Sequence, residues 1–318
     1  MNVMESVLNE KIDPFITEES IKKVVARALE HDVTITGFET LTGGCWNRVI
    51  GVAVDGGPDI VLKINPERNN PGIEREFHVL SAFAEKTRMP VPTPYAVDTS
   101  EDPIPGTVLV MKRVEGVVLH HAFGRMSGRG RRDVLDQIIG HVIDLHRLKG
   151  STFGGVEAPE TDDWASFWLA RFDRAMSEVE KSGHVGKSLL KSVYELRDRL
   201  PELLKTVEVS TLTHYDIWSG NVMVLPKNGS AEVTGYIDIP GYWADYAREL
   251  SFMAMFGLLD AEALARYASV HPLDEGFELR LNVYNLKMHL KHIVMYPYEA
   301  YYREGAESCA AFIRRALV

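Results

Sequence analysis

An α+β fold is what this sequence predicts: a small β-rich N-terminal lobe over residues 1–112 and a larger, mostly helical C-terminal lobe over 113–318. Three observations carry the expectation. Short β-branched stretches separated by glycine-rich turns crowd the first third of the chain. Long runs with apolar residues at helical spacing fill the remainder, and one β-like interruption, 212–239, breaks them. A length of 318 residues suits one large or two modest domains.

Element by element, residues 17–30 (TEESIKKVVARALE) open with a capping threonine and continue as an amphipathic helix. Residues 33–41, 46–54 and 59–64 read as antiparallel strands joined by tight Gly-Gly and Asp-Gly-Gly-Pro turns. The segment 72–86 returns to helical period, with Phe77, Leu80 and Ala84 on one side. Pro90, Pro92 and Pro94 then extend the chain, and 107–111 (TVLVM) reads as a buried strand. Beyond the connector, 131–149, 164–181 and 188–205 each predict a helix, and helices resume from 245 to the C-terminus.

Composition narrows the class. Hydrophobic residues at 45% and charged residues at 25% describe a globular chain rather than a disordered one. Thirty-five basic against forty-five acidic residues leave a net charge of −10, which repels nucleic acid. The one basic patch, 125–132 (RMSGRGRR), is equally well a solvated loop and helix start. Two cysteines, Cys45 and Cys309, make neither a disulfide framework nor a metal site, so a reducing cytoplasmic setting is expected. The N-terminal segment lacks the pattern of a secretory signal. The apolar run 252–259 is far short of the roughly 20 residues a membrane span needs, so no membrane partner is expected.

The chemistry concentrates in His214-Tyr-Asp216-Ile-Trp-Ser-Gly-Asn221. A carboxylate five residues before an amide, in a loop that leads into a strand, is what phosphoryl transfer needs. Asp216 would accept the proton of the substrate hydroxyl, and Asn221 would hold a magnesium ion. Asp238, at the end of the next β-like stretch, is the candidate second metal ligand. Oxygen donors of this kind suit Mg²⁺ rather than zinc. In the N-terminal lobe, Gly43 and Gly44 would let the backbone approach nucleotide phosphates. Lys63 at a strand end and Glu76 in the next helix form the pair that positions the phosphates of ATP. Met111, Lys112 and Arg113, in the connector, would present backbone groups to adenine.

Each residue also has a plainer reading. Gly43-Gly44 alone is a hairpin turn, Lys63 with Glu76 a surface ion pair, and Asp238 a turn cap before Pro240. His214 has no second His or Cys at ligand spacing, so it is read as structural support bracing the loop; His146 is read as structural too. Trp218 either packs the core or lines the acceptor site. What favours the chemical reading is that all of these features occur in one order.

That order resembles the aminoglycoside phosphotransferase and choline kinase superfamily, which has a protein-kinase-like two-lobed fold. More narrowly it resembles the fructosamine (ketosamine) kinase family. The stretches GGCWN (43–47), DDWASFW (162–168), HYDIWSGNV (214–222), ARELSFMAMFG (247–257) and GFELRLNVYNLKMHLKH (276–292) carry the likeness. The resemblance implies ATP and Mg²⁺ as cofactors and the 3-hydroxyl of a ketosamine, free or protein-bound, as acceptor, with Trp218 facing it. Net acidity also favours cationic acceptors. Aminoglycosides and other amino alcohols are the alternative acceptors, and a nucleotide-binding pseudokinase the second alternative. A cysteine at position 45 is common in the family and would allow a disulfide between chains. Three departures stand out: Tyr215 where the family has His-Gly-Asp, Glu249-Leu250 for Asp-Leu, and Leu258 for a second glycine.

Overall fold

A computed structural model describes residues 12–41 and 47–317. The chain divides into two compact units, one comprising Met1–Gly116 with Thr234–Ile239, the other Val117–Val233 with Pro240–Val318. The mixed α+β architecture matches the expectation from sequence.

The first unit is built on an antiparallel sheet of β1 (Ile35–Thr40), β2 (Arg48–Val54), β3 (Ile60–Asn65), β4 (Pro94–Asp98) and β5 (Thr107–Lys112), in the order β1-β2-β3-β5-β4. β3 is central and almost wholly buried, so its residues read as a continuous apolar run broken only by Lys63. β4 is the strand that the proline run concealed; it lies at the sheet edge, where a missing N–H is tolerated. The helix Glu18–Leu29 begins in a reciprocal cap, Thr17 Oγ1 accepting from Ser20 N at 3.1 Å and Ser20 Oγ accepting from Thr17 N at 2.9 Å. Its Ile21, Val24 and Val25 close the core formed by Ile50, Val52, Ile60, Leu62, Val108 and Val110. The helix Pro71–Lys86 has proline in its first turn, and Asn70 Oδ1 caps it by accepting from Gly72 N and Ile73 N.

The second unit holds short strands β6 (Val117–Val118), β7 (Lys149–Gly150), β8 (Phe153–Gly155), β9 (Pro159–Thr161), β10 (Ser210–Thr213), β11 (Val222–Lys227), the first part of β12 (Ser230–Tyr236) and β13 (Tyr242–Ala244) among its helices. β10 pairs with β7 and β13, and β11 with β6, so the ladder ends frame the segment 214–221. The helix expected over 131–149 runs Gly128–Leu145, with Ser127 accepting from Gly130 N; the basic patch is therefore a helix start. The helix expected over 188–205 is two, Lys187–Arg197 and Leu200–Leu204, because Pro201 cannot continue the first. Trp164 and Trp168 of the helix Trp164–Ser182 pack on Tyr284 of the helix Phe277–Met295. Trp164 Nε1 donates to Tyr284 Oη at 2.8 Å, and Tyr284 Oη donates to the buried Asp245 at 2.6 Å. Asp245 in turn caps the helix Tyr246–Met255, which fixes where that helix starts. Among the described residues no helix is long and apolar enough to cross a membrane.

Candidate active site

The first group of site residues belongs to the first unit. Lys63 lies on β3 opposite Val49 of β2 and Leu109 of β5, which buries its stem. Its Nζ donates to Glu76 Oε1 at 2.8 Å and to Asp238 Oδ1 at 2.5 Å. Burial alone would lower the lysine pKa; Glu76 and Asp238 outweigh it and hold the group protonated well above the ordinary range. One ammonium against two carboxylates leaves a negative charge in excess, a balance that suits a divalent cation accompanying phosphates better than bare phosphates. Asp238 has φ of 53°, a left-handed conformation strained for a residue with a Cβ, and its side chain is half exposed. In the connector, Lys112 N donates to Thr93 O and Arg113 N to Asp59 O, and Arg113 pairs with Glu39 at 2.8 Å. Those two amides are therefore spoken for, which limits what the connector offers a base, and Met111 is buried in β5. Gly43, Gly44 and Cys45 lie outside the described residues.

The second group lies in the second unit, on the loop between β10 and β11. Asn221 Nδ2 donates to Asp216 Oδ2 at 2.8 Å and to Asp216 O at 3.0 Å. That orients the amide so that Oδ1 is the side-chain oxygen left over, and it holds the Asp216 carboxylate in place. Among the described residues no three His, Cys, Asp or Glu side chains form a metal-binding cluster. Asp216 N donates to His214 Nδ1 at 3.2 Å, so the histidine braces the loop.

The anchor of this loop is Glu249, a residue absent from the expected site. It is fully buried and accepts from His214 N at 2.9 Å and Tyr215 N at 2.7 Å. His146 Nε2 lies 3.3 Å from Glu249 Oε2, and its Nδ1 bonds Tyr267 Oη at 2.8 Å, which accounts for this buried histidine. Burial would raise the Glu249 pKa, but these donors hold it below the usual carboxylate range. The only sequence trace of this role was a Glu-Leu where the resembling family has Asp-Leu.

Tyr215 explains its own departure. Its φ is 81°, a region that glycine enters freely and a tyrosine does not. The ring is held by Tyr242, with centroids 4.5 Å apart, and by the Arg248 guanidinium, whose Cζ lies 4.3 Å from the ring centroid. Trp218 is half-buried beside Phe256 at 5.9 Å, and its indole lies over Gly220, where a Cβ would come within 2.2 Å of Cζ2. Position 220 therefore admits glycine alone while the indole stays put. Trp218 is neither a fully buried core residue nor free of the protein surface.

Known proteins resemble this chain in sequence and in fold. The model of the phosphotransferase enzyme family (APH) matches residues 37–240. A Synechocystis protein provisionally named a ketoamine kinase is 24% identical over 294 residues, covering 87% of this chain and 91% of its own. Mouse ketosamine-3-kinase is 30% identical over 141 residues, 42% of this chain and 43% of the mouse protein. A crystal structure provisionally assigned as a Thermobifida fusca fructosamine-3-kinase superposes with a TM-score of 0.72 at 19% identity, covering 93% of this chain and 99% of that one.

Proposed function

The chain belongs to the APH family of phosphotransferase enzymes and is an ATP-dependent small-molecule kinase acting on a hydroxyl group, and from that premise we propose that its acceptor is a ketosamine and Asp216 its catalytic base. The observation that carries the base assignment is the Asp216–Asn221 pair on a loop clamped by Glu249. The names of its relatives support the ketosamine, free or protein-bound.

In this reading Asp216 accepts the proton of the acceptor hydroxyl as that oxygen attacks the γ-phosphorus of ATP in line. Lys63, oriented by Glu76, holds phosphate oxygens. Asn221 through Oδ1 and Asp238 would hold magnesium, which supplies charge neutralisation at the phosphates. Glu249 acts one step removed, by fixing the backbone that presents Asp216. Trp218 offers the acceptor an apolar face on the same loop.

The test is Asp216→Asn with acceptor profiling. The variant should lose phosphoryl transfer to a fructose–amine adduct by at least about a hundredfold, the scale of a positioned general base. Its affinity for Mg·ATP should stay near that of the parent, because Asp216 does not hold the nucleotide. Near-parental turnover by the variant would remove Asp216 from the role. Phosphorylation of aminoglycosides but of no ketosamine would replace the acceptor.

A further inference from the structure

Beside the loop that carries Asp216, three helices bring five cations together, of which Arg171 has an acidic partner. Arg248, on the helix Tyr246–Met255, is only 4% exposed. Its guanidinium rests against the rings of Tyr215 and Phe252, its Nη2 reaches only Met288 Sδ at 3.6 Å, and Nη1 has no hydrogen-bond partner among the described residues. Lys287, on the helix Phe277–Met295, is part-exposed and stands over Trp168, Nζ lying 5.6 Å from the ring centroid. Burial first, and then the cations Arg248, Lys291, Arg171 and Arg174, push Lys287 down to about 7. Arg171 is the member with an acidic partner, Glu160 at 2.8 Å.

A guanidinium removed from water needs more compensation than the face of an aromatic ring provides. Contacts with Tyr215, Phe252 and Met288, none of them anionic, leave Arg248 without a charged partner among the described residues. The cluster is local: a chain of net charge −10 here carries an excess of positive charge, next to the residue that precedes the catalytic base. The local charge here is opposite in sign to the net charge from which a cationic acceptor is expected.

We propose that the acceptor carries a carboxylate, which docks on Lys287 with Arg248 behind it, so that the preferred ketosamines are adducts of amino acids rather than of neutral amines. The proposal rests on the reading of Asp216 as the base for a ketosamine. A carboxylate there would supply one negative charge against the two cations, beside the ring of Tyr215 that precedes Asp216.

The experiment compares fructose adducts of glycine and of glycinamide as acceptors for the full chain and for Lys287→Met. The parent should favour the glycine adduct about tenfold in kcat/KM, equivalent to about 1.4 kcal/mol, and the variant should treat the two alike. Lys287→Gln should repeat the result. In a second arm, sodium succinate should raise the melting temperature of the parent above that in sodium chloride of equal ionic strength, and should do so less for Lys287→Met. A parent that does not distinguish the two adducts overturns the proposal. If neither adduct is phosphorylated, the ketosamine reading fails separately. The subsite then stands if succinate protection is lost in the variant, and falls if protection is absent or equal in both proteins.

Discussion

Tyr215 is held in a conformation its side chain opposes, and the balance of forces there can be measured. A left-handed φ of 81° costs a residue with a Cβ about 1–2 kcal/mol. Against this stand the Tyr242 contact, about 0.5–1.5 kcal/mol for an aromatic pair, and the Arg248 contact, up to about 2 kcal/mol when desolvated. A glycine would also lose more backbone freedom on folding. The attractive terms are the larger, so Tyr215→Gly should lower stability by about 1 kcal/mol in chemical denaturation even though it removes the strain. A variant more stable than the parent would show that the backbone term dominates. Glu249 makes a related point: its identity was visible as a motif departure, but its two hydrogen bonds to the loop backbone follow from where Asp245 starts the helix.

Among the elements, the helix Gly128–Leu145 shows how closely two segments can meet. Ser127 N and Oγ both donate to Gly229 O, in the turn between β11 and β12, at 3.0 and 2.9 Å. A Cβ at Gly130 would lie 1.9 Å from the same carbonyl oxygen. Alanine in a helix gains about 1 kcal/mol over glycine, yet Gly130 is buried and forcing a backbone apart costs about 1–3 kcal/mol. Gly130→Ala should therefore destabilise, with faster amide hydrogen exchange at residues 127–130 and 228–230. Unchanged exchange with a raised melting temperature would contradict the close approach. Periodicity located most helices, but Pro201 split one, and β4 was hidden because its prolines read as simple extended chain.

For the molecule as a whole, the buried histidines set an acid limit. His289, 5% exposed, has its pKa pushed down to about 4, by burial first and then by His292. Burial likewise lowers His146, despite the pull of Glu249. A folded pKa below the unfolded value of about 6.5 means the unfolded chain binds more protons between the two. Stability from these groups is therefore complete above pH about 6.5 and declines as pH falls towards about 4. Glu249, held low, adds a loss of the same sign at more acid pH. The melting temperature should drop clearly from pH 7 to pH 5, and His289→Gln should reduce the drop. A flat profile over that interval would refute the assignment.

What the sequence determined by itself was local: the α+β class, the order of strands and helices, the Asp216–Asn221 pair on one loop, and Lys63 and Glu76 one strand and one helix apart. Period, caps and loop spacing act over a few residues and can be read along the chain. Only the tertiary structure brought Asp238 to Lys63 across 175 positions, set Glu249 beneath the loop that carries Asp216, and gathered Arg248 and Lys287 from separate helices. These depend on which faces pack together, and a composition of net −10 gives no hint that a cluster of positive charge would form beside Tyr215.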